Sequence, residues 1–297
     1  MKSKAESGYT ILEAMLFITI SSSMFILAMI SFSGRQQQVQ FTQAVRELDA
    51  KILDTINDVT TGYFPNDGSL QCSISASPRP VISVAAVEKG QGTNDDCVMV
   101  GKAVQFYPDD GISNTEDQSL MYTYNIVGKR VTSGGESTQS LEEARPVTTS
   151  PTAASAGIND TTEKAELKYG LRVTKVATEE AASVESSVIG FFTRFTRTYK
   201  TTKFSEGQTV SSSIIPGVSR TDPHSQYAAA TRINTITDNP ITAVAGDTLI
   251  ITTSSTPIVI CLADNDMERR ASITIGGTGQ ASTRVDFDTY NRTICGA

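Results

Sequence analysis

The chain has 297 residues, a formal net charge of −7, a single histidine and no tryptophan. The acidic balance argues against a general affinity for nucleic acid, which needs a concentrated basic surface, although a local basic patch remains compatible with it. Only 19% of residues are charged while Ser and Thr are plentiful, which suits an extracellular β-rich protein better than a cytosolic enzyme.

The chain opens on a short polar leader containing Lys2 and Lys4, followed by Gly8-Tyr-Thr-Ile-Leu-Glu13. From Ala14 through Gly34 there follow 21 residues without a charge. As a helix at about 1.5 Å per residue this run spans the hydrocarbon core of a bilayer. A carboxylate at mid-membrane costs roughly 2.5–3.5 kcal/mol on insertion scales, and less towards the interface. Glu13 therefore requires a use. An ordinary secretory signal would carry an Ala-x-Ala cleavage pattern after the apolar run. Here Gly34, Arg35 and three glutamines follow instead. A plain signal anchor would explain the run but not the motif before it.

The leader, the motif and the apolar run together closely resemble the prepilin leader of type IV pilins and the related pseudopilins. In that family a membrane-embedded aspartyl peptidase cuts after the glycine on the cytoplasmic side and N-methylates the new first residue. The resemblance places cleavage between Gly8 and Tyr9, methylation on Tyr9, and the assembly carboxylate on Glu13. Its partner in a filament would be the N-terminal amine of a neighbouring subunit. Many members have a proline and an internal glycine in this segment, and this chain has neither. Ser21, Ser22 and Ser23 stand there, with hydroxyls able to bond back to carbonyls a turn earlier.

Beyond the membrane segment, Phe41, Val45, Leu48, Ile52, Ile56 and Val59 recur at steps of 4, 3, 4, 4 and 3. That is one apolar stripe on a helical period. Gly62 is placed to end the helix in a left-handed cap, and Pro65 prevents its resumption. From Tyr9 to Thr61 such a helix would be about 80 Å long.

About 235 residues remain beyond Gly62, enough for one large or two small domains with a real core. Strands are expected at 81–87, 98–106, 120–127 and 168–176. The stretch 132–164, rich in Ser, Thr, Ala, Gly and Pro, reads as a long surface loop or linker. Residues 187–199 fit strand or helix equally. A second β series covers 209–215, 241–244, 249–253, 258–261, 271–275, 282–287 and 292–295, with a glycine-rich hairpin at Gly276-Gly-Thr-Gly. The closing strands faintly resemble those of minor pilins and H-type minor pseudopilins.

Cys72, Cys97, Cys261 and Cys295 form an even set with no C-x-x-C spacing, so disulfides rather than zinc are expected. Of three connectivities, Cys72–Cys97 with Cys261–Cys295 is favoured because each closes a loop of moderate length. Four buried free thiols are the alternative.

Catalytic signals are weak. His224 stands alone beside Pro223 and no Gly-x-Ser-x-Gly elbow accompanies it. Two acidic clusters, 109–117 and Asp264-Asn-Asp266 with Glu268, could hold calcium, but neither fits an EF-hand spacing and solvated loops are the default. Asn159 and Asn291 head glycosylation triplets, a common chance match. No catalytic residue, metal ligand or cofactor is assigned.

The expectation is thus an α+β protein: a leader (1–8), a membrane and polymerisation half-helix (9–34), an amphipathic outer half (35–62), and a β-rich antiparallel head (63–297) on which that outer half packs. The resemblance implies a structural, non-enzymatic filament subunit, by size a minor pilin. Its partners would be the prepilin peptidase, other pilin subunits and an assembly platform. It would be single-pass in the cytoplasmic membrane with the N-terminus inside, then extracellular in a filament. The alternatives are a pseudopilin of a secretion or DNA-uptake system, and an anchored ligand-binding exoprotein that does not polymerise.

Overall fold

The computed structural model describes residues 10–63, 70–74, 80–84, 96–106, 119–132, 134–139, 141–149, 162–179, 186–193, 210–215, 229–230, 232–233, 256–276, 282–287 and 292–296. Two units divide the chain, 1–43 and 44–297. The architecture is α+β: one long N-terminal helix with an apolar first part, short helices, and antiparallel sheets.

Helix α1 runs Ile11–Thr61. Its start is fixed by Thr10, whose side-chain oxygen and carbonyl both accept the Glu13 N–H, at 3.3 and 3.0 Å. Its end is a Schellman cap: the Tyr63 N–H donates to the Asp58 carbonyl at 2.8 Å and the Gly62 N–H to Val59 at 3.3 Å. Gly62 sits at φ +68°, a region an L side chain enters only at a cost of about 1 kcal/mol. Within 44–297, the helical residues Ala44, Val45, Leu48, Ile52, Ile56 and Val59 are buried, following the stripe the sequence displays.

The larger sheet has six strands. Its main path is β5 (Val147–Thr148), β4 (Leu120–Lys129), β3 (Cys97–Phe106), β8 (Val188–Thr193) and β9 (Val210–Ile214), with β6 (Glu163–Glu166) also pairing β4. All pairings are antiparallel. Residues opposite one another share a face, so Ala103, Tyr124 and Gly190 line one side while Lys102, Asn125 and Phe191 line the other. Both sides of β3 and β4 are buried, which is why these strands read as almost unbroken apolar runs. On the Tyr124 side Phe192 lies over two glycines. A Cβ at Gly190 would stand 2.5 Å from the Phe192 ring, and one at Gly101 would meet the Phe191 carbonyl. Gln105 closes the polar account there, accepting from the Tyr124 hydroxyl and the Ala229 N–H, each at 3.0 Å.

The second sheet has the order β12 (Thr283–Asp286), β11 (Arg270–Ile275), β10 (Ile258–Ala263), β7 (Arg172–Thr178). One face carries Ile258, Ile260, Leu262, Ile273 and Ile275, all fully buried. The other carries Val259, Cys261 and Ala177, which cluster with Ile294 and Cys295 of α3 (Arg292–Cys295). A separate hairpin joins β1 (Leu70–Ser73) to β2 (Val81–Val84). Charged side chains mark the edge strands β6 (Glu163, Lys164, Glu166) and β12 (Arg284, Asp286), which discourages a further strand from adding there.

Several expectations need adjustment. The segment 292–295, expected as a strand, is a helical turn. A strand would point Ile294 and Cys295 to opposite sides, whereas a helix lets both neighbours face the sheet. The proposed loop 132–164 is built in part: α2 (Leu141–Ala144) buries Leu141 and Ala144 at a helical spacing, and β5 pairs with Ile126 and Val127. The strand expected from 168 begins at Arg172, because Tyr169 (φ 55°) and Gly170 (φ 68°) form a left-handed turn before it. The ambiguous 187–199 is strand over Val188–Thr193. The expected strands 241–244 and 249–253, and the residues 85–87 and 194–199, lie outside the described residues.

Candidate membrane and assembly segment

At the N-terminus the described chain begins at Thr10, so Gly8 and Tyr9 lie outside it. Thr10-Ile-Leu-Glu13 has the spacing of a capping box, in which the threonine takes an orphan N–H of the first turn. This local role of Glu13 stands beside its charge in the apolar segment, and a Thr-x-x-Glu before an apolar run is its signal in the sequence. Glu13 is exposed and makes no ion pair among the described residues. Behind it Ile11–Met29 is long and apolar enough to cross a membrane, and none of it is buried within the protein. Two of its hydroxyls bond back within the helix: Thr19 donates to the Leu16 carbonyl at 2.9 Å and Ser23 to Ile20 at 2.8 Å.

Among the described residues, ion pairs join the outer half of α1 to strand β3 and to the link between β6 and β7. Lys102, on central strand β3, is 1% exposed, and its Nζ donates to Asp58 Oδ2 at 2.8 Å and approaches Glu163 Oε1 at 3.4 Å. Asp58 sits in the last turn of α1, which holds no basic residue, where the helix dipole disfavours a negative charge. Lys102 supplies the missing cation. The second pair joins Lys168 to Glu47 at 2.8 Å, and the hydrogen bond that Lys168 donates to Glu47 is the main reason its pKa rises above 10.5. Lys102 is a residue the sequence reading passes over. A lone cation inside the apolar run Val98–Phe106 is its only signal.

The chain matches no protein-family model, no curated protein and no solved structure.

The four cysteines pair as Cys72–Cys97 and Cys261–Cys295, with Cα atoms 6.1 and 5.6 Å apart. The first bridge ties β1 to the start of β3 and clusters with Val127, Val147 and Ile82, and the second holds α3 against β10. The acidic cluster at Asp264 is internally occupied. Asp264 Oδ1 accepts the N–H groups of Glu268 and Arg269 at 2.9 and 3.2 Å, and Oδ2 accepts from Arg269 Nη1 at 2.9 Å. Asn265 Oδ1 accepts from Arg172 Nε at 2.7 Å. These oxygens shape a hairpin tip, and no group of metal-ligating side chains assembles among the described residues. The cluster 109–117, His224, Asn159, Asn291 and residues 277–280 lie outside the described residues.

At the far end of β4, burial lowers the pKa of Lys129 below 10.5 and the neighbouring Arg145 cation lowers it further. Arg145 itself is held at φ 49°.

Proposed function

We propose that this chain is a structural, non-enzymatic subunit of a type IV pilus-like filament, a minor pilin by its large head. Processing between Gly8 and Tyr9, methylation of Tyr9 and lateral docking through α1 are parts of this reading. The observation that carries it is the placement of Glu13. A carboxylate at the head of a helix whose apolar side chains from Ile11 to Met29 are all unburied has no charge-dependent use in a soluble domain. It has one in a membrane helix that must find a partner amine. The buried stripe from Val45 to Val59, with the Asp58–Lys102 and Glu47–Lys168 pairs, supports the outer half of α1 packing on the β-rich head.

On this reading the subunit waits in the cytoplasmic membrane, N-terminus inside, and leaves it laterally when Glu13 meets the amine of a neighbour. N-terminal sequencing and intact mass of the protein from membranes should give a chain beginning at methylated Tyr9. A chain that retains Met1, or one cut beyond Phe32, refutes it. A correctly processed chain absent from every sheared filament fraction would favour an anchored exoprotein.

A further inference from the structure

Lys102 is a nucleophile with unusual surroundings. It is buried on the central strand, with its side chain 1% exposed. Two carboxylates reach it from different elements, Asp58 from α1 at 2.8 Å and Glu163 from β6 at 3.4 Å. We propose that Lys102 and Asp58 condense to an intramolecular amide, with Glu163 as the proton carrier.

The chemistry balances without a further reactant. Lys102 Nζ attacks Asp58 Cγ, a C–N bond forms, and one carboxylate oxygen of Asp58 leaves. The three ammonium protons are accounted for: one stays on the amide nitrogen and two depart with that oxygen as water. Glu163 takes a proton from nitrogen and returns it to the leaving oxygen, ending as it began. The amine is held at its electrophile in a fixed pose, and such intramolecular pairs reach effective molarities of roughly 10⁵–10⁸ M. Asp58 is one-third exposed, which gives the water an exit, while Glu163 at 57% exposure can exchange protons with solvent. The product ties the last turn of α1 covalently to the middle of the six-stranded sheet. This inference is independent of the filament reading.

The test is peptide mapping of the full chain, purified in detergent, reduced, alkylated and digested with trypsin. The expected result is a branched peptide joining Asp58 to Lys102, lighter than its two linear parts by one water, with no cleavage after Lys102. In Glu163→Gln, which keeps both reacting groups, the branched species should fall at least tenfold while the circular dichroism spectrum stays unchanged. A folded wild-type chain, with both disulfides formed, that yields only linear peptides with a free Lys102 amine overturns the proposal. Undiminished branching in Glu163→Gln overturns the part given to Glu163.

Discussion

Glu13 stands in the first turn of α1, where two roles coincide. As the fourth residue of Thr10-x-x-Glu13 it belongs to the helix start, and as a charge at the head of an apolar span it is the assembly carboxylate of the proposed filament reading. The two separate by mutation. Glu13→Gln retains a side chain able to complete a capping box but removes the charge. It should leave membrane insertion and leader cleavage at wild-type levels and abolish entry into sheared filaments, measured by fractionation. Filament incorporation at the wild-type level would make Glu13 a cap residue alone. Thr10→Ala should weaken the helix start by about 1 kcal/mol and Thr10→Ser should restore it, read as amide exchange of residues in the first turn. Two lysines make a second residue-scale case. Lys129 binds its proton less tightly in the folded chain, so its penalty is full at neutral pH and is relieved as pH rises towards 10.5. Lys168 binds its proton more tightly, so its contribution is present below 10.5 and is lost as pH rises through its raised value. Titration of the lysine side chains by NMR should therefore show Lys129 deprotonating before Lys168. Arg145→Gln should move Lys129 back upward.

Among the elements, the end of α1 is the most exacting. Relative to the ion-paired chain in which no amide has formed, Asp58→Ala leaves a buried ammonium with only the Glu163 oxygen at 3.4 Å, and should destabilise by roughly 3 kcal/mol, the low end for a broken buried pair. Relative to the same unlinked chain, Lys102→Met leaves Asp58 one-third exposed and hydrated, so its effect should stay within about 1 kcal/mol. Urea unfolding of the two variants checks the asymmetry, and equal losses would mean that the ion pair's burial has no energetic consequence. Of these elements the helix was the most legible in sequence, since its stripe, its cap at Gly62 and its start depend on residues within a turn or two. The strands β3 and β4 were legible as apolar runs. Their partners were not, because a run buried on both faces carries no alternation to fix its register. The turn at Tyr169 was also hidden: tyrosine is a rare choice at φ 55°, and the sequence gives no local hint of it.

For the whole molecule, the disulfides close loops of separation 25 and 34 and should each contribute about 3–4 kcal/mol on a chain-entropy account. They should not act alike. Loss of Cys261–Cys295 by the double Cys→Ser variant frees α3 from β10, while loss of Cys72–Cys97 frees only the β1–β2 hairpin from the start of β3. Hydrogen exchange should show the first change in β10 and β7, and the second confined to β1, β2 and the start of β3. Protection lost evenly over both sheets in either variant would contradict this division.

What the sequence determined by itself is local and compositional. The charge-free run from Ala14 to Gly34 needs no tertiary context to be a membrane candidate, because its length and apolarity alone match the hydrocarbon core of a bilayer. Thr10 and Gly62 bound α1 through hydrogen bonds that close within one turn. The tertiary structure decided everything that needed distant residues to meet. Lys102 finds its carboxylates 44 and 61 residues away, and Cys261 finds Cys295 only because 292–295 folds as a helical turn rather than a strand. Such meetings turn on sheet order and register, which no local pattern encodes, since the loop-closure entropy they overcome is repaid only by the completed core.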